Sequence, residues 1–155
     1  MDAYPKSVLV LVLVSTPLLA QGLPTTADQQ MVVNVAQTAA VQSVNFSQGD
    51  IGSLTRARVN FTRGGWDDFM KRMQGFLDAK GAPTFTSSFV PSGDATILGE
   101  ENGIVHFRVP GTLVQSNNIG KTTYRGAIEV RAGGNPVRIE HLDQITCLGA
   151  STACQ

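Results

Sequence analysis

His106, Tyr124, Glu140 and Asp143 are the side chains of this sequence that could carry acid–base chemistry. That chemistry needs a histidine or carboxylate base and a tyrosine or acid donor facing one apolar pocket. Nothing in their spacing along the chain brings the four together. His106 alternates with Ile104 and Arg108 on a strand-like segment, and a histidine in that setting reads as a solvent-face residue. His106 and His141 also lack a metal-ligand pattern. No catalytic, cofactor-binding or metal-ligating residue is therefore assigned. A small enzyme or ligand binder that uses an interior pocket is the second of two functional readings.

The most crowded stretch is NFTRGGWDDFMKRM, Asn60 to Met73, which holds the only tryptophan. Trp66, Phe69, Met70, Met73, Phe76 and Leu77 are spaced by three and four, so they share one face of a helix. The spacing predicts a helix from Gly64 or Gly65 to about Ala79. Thr62 would cap its start, Asp67 and Asp68 in its first turn would meet the helix dipole, and Gly81 would end it. Asp67 with Lys71 and Asp68 with Arg72 are acid-before-base pairs four apart. Trp66, with Phe61 and Phe69 near it, is read as core; the other reading is a half-exposed hot spot for a protein partner.

Cys147 and Cys154, the only cysteines, both fall in the last nine residues. In an exported chain they read as a disulfide rather than a redox or metal pair, since the spacing is not CxxC. Closing so small a ring contributes roughly 2.5 kcal/mol if it is unstrained. The RGG at Arg63 to Gly65 lacks the repetition and aromatic platform of single-strand binders. AGGNP lacks the lysine and the strand-loop-helix setting of a phosphate loop.

These residues need elements to position them. The chain has 155 residues, enough for one compact domain, and its 12 basic and 12 acidic residues give no global field to attract nucleic acid. Lys6 and the apolar run from Val8 to Ala20 read as a signal peptide over residues 1–22, too short and interrupted to span a bilayer comfortably, which takes about 20 residues. A single domain over residues 23–146 and a disulfide-closed tail over 147–155 complete the division. Thr26 or Asp28 would cap a first helix that packs through Met31, Val35, Ala39 and Val41 or Gln42. A short irregular helical turn follows around Ile51 to Arg58. From Pro83 onward, segments rich in β-branched and aromatic residues alternate with turn sequences such as Glu101-Asn102-Gly103 and Gly133-Gly134-Asn135. They predict an antiparallel meander of four or five strands, with Val105, Phe107 and Val109 on one face of a strand and Tyr124, Gly126, Ile128 and Val130 on one face of the next. Helices first and strands afterwards predict an α+β fold, and Pro110-Gly111 and Gly126 predict a strongly curved sheet wrapped around helices.

Asn45-Phe46, Phe61-Thr62, Gly65-Trp66 and Phe69 occur in an order that resembles the DotI/IcmL family of type IVB secretion and conjugation proteins. The similarity continues through Gly81–Phe85, Ile97–Val114 and the strand ending at Arg131, about residues 40–145. The resemblance implies a nuclear-transport-factor-like or cystatin-like cone of helices packed into a curved antiparallel sheet. It implies a non-enzymatic periplasmic assembly component that contacts other secretion-apparatus proteins, or copies of itself, with no cofactor. It carries no catalytic residues. The chain departs from the family in having a signal-like segment where the family's secretion components have a membrane anchor, and in its cysteine-bearing tail. Retention of that segment would place the protein on the inner membrane, facing the periplasm.

Overall fold

The computed structural model describes residues 26–47, 51–80, 86–116 and 119–147, without the side chains of residues 51, 53 and 75–80. The signal segment, Gly81, the match at Gly81–Phe85 and Cys154 lie outside the described residues. The elements are α1 (Ala27–Val44), β1 (Phe46–Ser47), α2 (Ile51–Ala57), a 3-10 turn (Arg58–Asn60), α3 (Arg63–Lys80), β2 (Thr86–Pro91), β3 (Thr96–Glu101), β4 (Ile104–Ser116), β5 (Lys121–Gly133) and β6 (Arg138–Thr146).

Helix α1 starts in a capping box. The Thr26 hydroxyl accepts from the Gln29 N–H at 3.2 Å, and the Gln29 side-chain oxygen accepts from the Thr26 N–H at 3.0 Å. Its packing face overlaps the expected one only in part, since Ala39 and Val41 pack, partly buried, against the core. Val32, Val33, Ala36, Ala40, Ser43 and Val44 are buried, whereas Met31 and Val35 are 55% and 51% exposed. Two apolar stripes run along this helix, and periodicity alone cannot choose between them. The sheet selects the one with Ala36 and Ala40, whose small side chains let the helix axis approach the strands closely.

Helix α3 begins at Arg63. The Thr62 hydroxyl caps it by accepting from the Gly65 N–H at 3.1 Å. Because the helix starts earlier than expected, Asp67 and Asp68 fall in its second turn and the first turn carries no acid. Asp68 acts as a side-chain partner instead, with Arg72 at 2.7 Å.

Five strands follow Pro83, the upper of the four or five expected, joined by the two-residue β1 to give a six-stranded antiparallel sheet in the order β1-β2-β4-β5-β6. It is not a simple meander. Strands β2 and β3 do not pair with each other; β3 takes the Ile104–Arg108 half of β4, and β2 takes the Gly111–Ser116 half of the same edge. On its other edge β4 pairs with β5 along its whole length, from Ile104↔Gly133 to Ser116↔Lys121. The β3–β4 turn has Asn102 at φ 53° and Gly103 at φ 77°, the left-handed pair that an Asn-Gly hairpin requires. The curled sheet closes over α1 and α3. Phe107, Val109, Ile128 and Val130 are 0% exposed on its inner face and meet Val33, Ala40, Val44 and Phe69. Among the described residues no helix is long and apolar enough to cross a membrane.

Candidate functional site

The aromatic group at the start of α3 is a joint. Phe61 makes an isolated parallel bridge to Ile139 of β6, and the Thr62 N–H donates to the Ile139 carbonyl at 2.9 Å. One turn on, a Cβ at Gly65 would stand 2.6 Å from the Ile139 carbonyl oxygen and 2.7 Å from that of Glu140. Only glycine lets the helix reach the strand at this point. Phe61 and Phe69 are buried and stack with ring centroids 5.2 Å apart, and the half-buried Trp66 meets the Phe61 ring edge-on at 5.4 Å. Trp66 thus packs on the core and keeps part of its ring in contact with solvent.

From this joint α3 runs along β6 and exchanges charged contacts with it. His141 Nδ1 stands 3.2 Å from Asp68, and Arg72 meets both Asp68 at 2.7 Å and Asp143 at 3.0 Å. The Asp68–Arg72 pair, four apart on the helix, is one of the two expected; the links to His141 and Asp143 depend on tertiary placement. Beneath this rail, between α3 and the inner face of the sheet, lies a partly open cleft of ≈ 380 Å³. Phe46, Phe69, Met73, Leu113 and Leu142 supply its apolar wall.

The outer face of the sheet carries a second polar group. Glu129 accepts from Arg108 Nε at 2.9 Å and from an Arg108 terminal nitrogen, and His106 Nε2 stands 3.4 Å from its other oxygen. Partial burial raises the Glu129 pKa, but the Arg108 hydrogen bond and charge, aided by His106, outweigh it and hold the carboxyl below its ordinary range.

The structure divides the four acid–base candidates between two surfaces. Tyr124 and Asp143 line the interior cleft, whereas His106 and Glu140 line charged grooves on the outside with Arg131. The four form no common site; Tyr124 and Asp143 do share the apolar-walled cleft, where Asp143 is paired with Arg72 at 3.0 Å. Among the described residues no three His, Cys, Asp or Glu side chains converge as a metal-ligand set. Ser87 and Gln144, which sequence reasoning did not single out, line the cleft together with Arg72, read in the sequence only as the helix partner of Asp68; no local pattern marks the three as a group, because they come from three separate elements.

No protein-family model and no curated protein matches the chain. The backbone nevertheless superposes on the periplasmic domain of DotI with a TM-score of 0.66 at 18% identity, covering 80% of this chain and 99% of that one. The chain has the fold of the DotI periplasmic domain. An IcmL-like type IV secretion system protein from Legionella pneumophila is similar to the same extent, with a TM-score of 0.66, 10% identity and coverage of 83% and 99%. CagV, a VirB8 homolog of the type IV secretion system of Helicobacter pylori, matches with a TM-score of 0.61 at 8% identity, covering 76% of this chain and 99% of its own. The DotI-like fold accounts for the sequence resemblance in physical terms. Asn45 ends α1 and holds β2, its side-chain oxygen accepting from the Phe89 N–H at 2.5 Å; Phe46 is buried; Phe61, Thr62, Gly65 and Phe69 form the joint to β6.

Proposed function

We propose that the protein is a non-enzymatic periplasmic component of a type IV secretion or conjugation apparatus, acting through contacts with other apparatus proteins or with copies of itself. The observation that carries this reading is the likeness, over 99% of each matched chain, to the periplasmic domain of DotI and to an IcmL-like type IV secretion system protein. Asp143, the carboxylate that shares the cleft with Tyr124, is engaged by Arg72 at 3.0 Å, which supports a binding role over acid–base chemistry. Residues 1–22 act as the export signal and residues 23–146 form the working domain. Cys147 and Cys154 are joined in a disulfide that ties the tail to the end of β6, where the Cys147 N–H already donates to the Arg125 carbonyl at 2.9 Å.

Crosslinking in the native cells, followed by identification of the crosslinked proteins, tests the role. Recovery of type IV apparatus components is the expected result. An intact mass lower by two hydrogens than that of the reduced chain is expected from the disulfide, and an unchanged mass contradicts it.

A further inference from the structure

Among the described residues, three buried side-chain polar atoms have no hydrogen-bond partner: Arg72 Nε, Ser87 Oγ and Gln144 Nε2. All three residues line the one ≈ 380 Å³ cleft between α3 and the sheet. They come from α3, β2 and β6, so local geometry does not explain their coincidence. Buried polar groups are nearly always paired, and an orphaned one costs free energy. Ser87 is 4% exposed, on a strand whose next inward residue is the core side chain Phe89. A hydroxyl there has no folding role that alanine would not fill.

We infer that the cleft is a binding site for a compact, uncharged molecule with an apolar body and a carbonyl-type acceptor oxygen. Arg72 Nε and Gln144 Nε2 are donors, and the Ser87 hydroxyl can donate, so the site calls for an acceptor. The apolar body fits the wall of Phe69, Met73, Leu113 and Leu142. The volume lies at the lower end of small-molecule pockets, which sets the size class.

Charge decides against a carboxylate. The Arg72 guanidinium already meets two aspartates, Asp68 at 2.7 Å and Asp143 at 3.0 Å, so its single positive charge is outnumbered at the rim. A third carboxylate would be repelled where a neutral carbonyl would not. This site is independent of the assembly role and can fail without it.

The test is an NMR titration of the full chain with 2-octanone and with octanoate, which share an apolar chain and differ in head-group charge. The ketone is expected to bind saturably at about 1 mM or tighter, with shift changes centred on Ser87, Leu113 and Gln144, and octanoate at least several-fold more weakly. Ser87→Ala is expected to weaken the ketone about three- to tenfold, the range of one hydrogen bond. The same change is expected to leave the melting temperature of the unliganded protein equal or higher, because it removes an unpaired buried hydroxyl. Octanoate binding as tightly as the ketone overturns the assigned ligand class. An unchanged affinity in Ser87→Ala, or no saturable binding, overturns the site and leaves the three polar atoms to solvent.

Discussion

Gly65 of α3 and Ile139 of β6 are in backbone contact: a Cβ on Gly65 would meet the Ile139 carbonyl oxygen at 2.6 Å, well inside van der Waals distance. The neighbouring Gly64 has nothing within 4 Å of its equivalent position. Gly65→Ala is therefore expected to destabilise the fold by about 1–3 kcal/mol through overpacking, while Gly64→Ala is neutral or stabilising by up to ~1 kcal/mol as alanine replaces glycine in a helix. Urea denaturation of the two variants checks this pair, and equal effects would remove the joint from the account.

Asn45 gives the second joint. Its side-chain oxygen is the acceptor for the Phe89 N–H, so Asn45→Ala leaves that amide without its partner, at about 1–3 kcal/mol. Asn45→Asp keeps an acceptor in place and is expected to recover most of the loss. If both variants lose the same amount by thermal or urea denaturation, the bond does not hold β2.

The two stripes of α1 make opposite predictions. Val33 is 1% exposed and Val35 is 51% exposed. Val33→Ala is expected to cost about 2 kcal/mol as a core truncation, whereas Val35→Ala stays within about 0.5 kcal/mol of the parent, since it sits on the solvent side. Similar losses at both positions would mean that the outward stripe is covered in the isolated protein.

Glu129 sets a pH dependence. Its folded pKa lies below the ordinary glutamate value, so the unfolded chain binds its proton first as pH falls. The stability this contributes is fully present above the ordinary glutamate range and is lost as pH drops through the folded value. Glu129→Gln removes that titration, so the variant's denaturation midpoint is expected to fall less steeply than the parent's across this acid window. Parallel curves would show that Arg108 and His106 do not hold the carboxylate in its charged form.

The α3 helix, its threonine cap, the Asn-Gly hairpin and the inward faces of β4 and β5 were legible in the sequence because each rests on spacing within one element. The α1 face was not, since Met31 and Val35 form as good a stripe as Val33 and Ala36 until a sheet chooses between them. Phe46–Ser47 was too short to leave a pattern, and the division of the β4 edge between β2 and β3 is set by pairing at a distance. The cleft was illegible for the same reason: Arg72, Ser87 and Gln144 are ordinary residues of three elements that only the closed fold brings together. The resemblance around Asn45, Gly65 and Phe69 pointed to the fold correctly because it marks joints, where backbone approaches backbone and few residue types fit.

Trp66 packs on Phe61 and yet is only partly covered. The most direct measurement of the proposed role is site-specific photocrosslinking from position 66 of the full chain in its own cells, with the crosslinked products identified by mass spectrometry. The account expects adducts to proteins of the type IV apparatus or to a second copy of this chain. Recovery of the protein only as an uncrosslinked monomer, in cells whose apparatus is assembled and with crosslinkers at other exposed positions such as Val35 and Val90 equally silent, would contradict it.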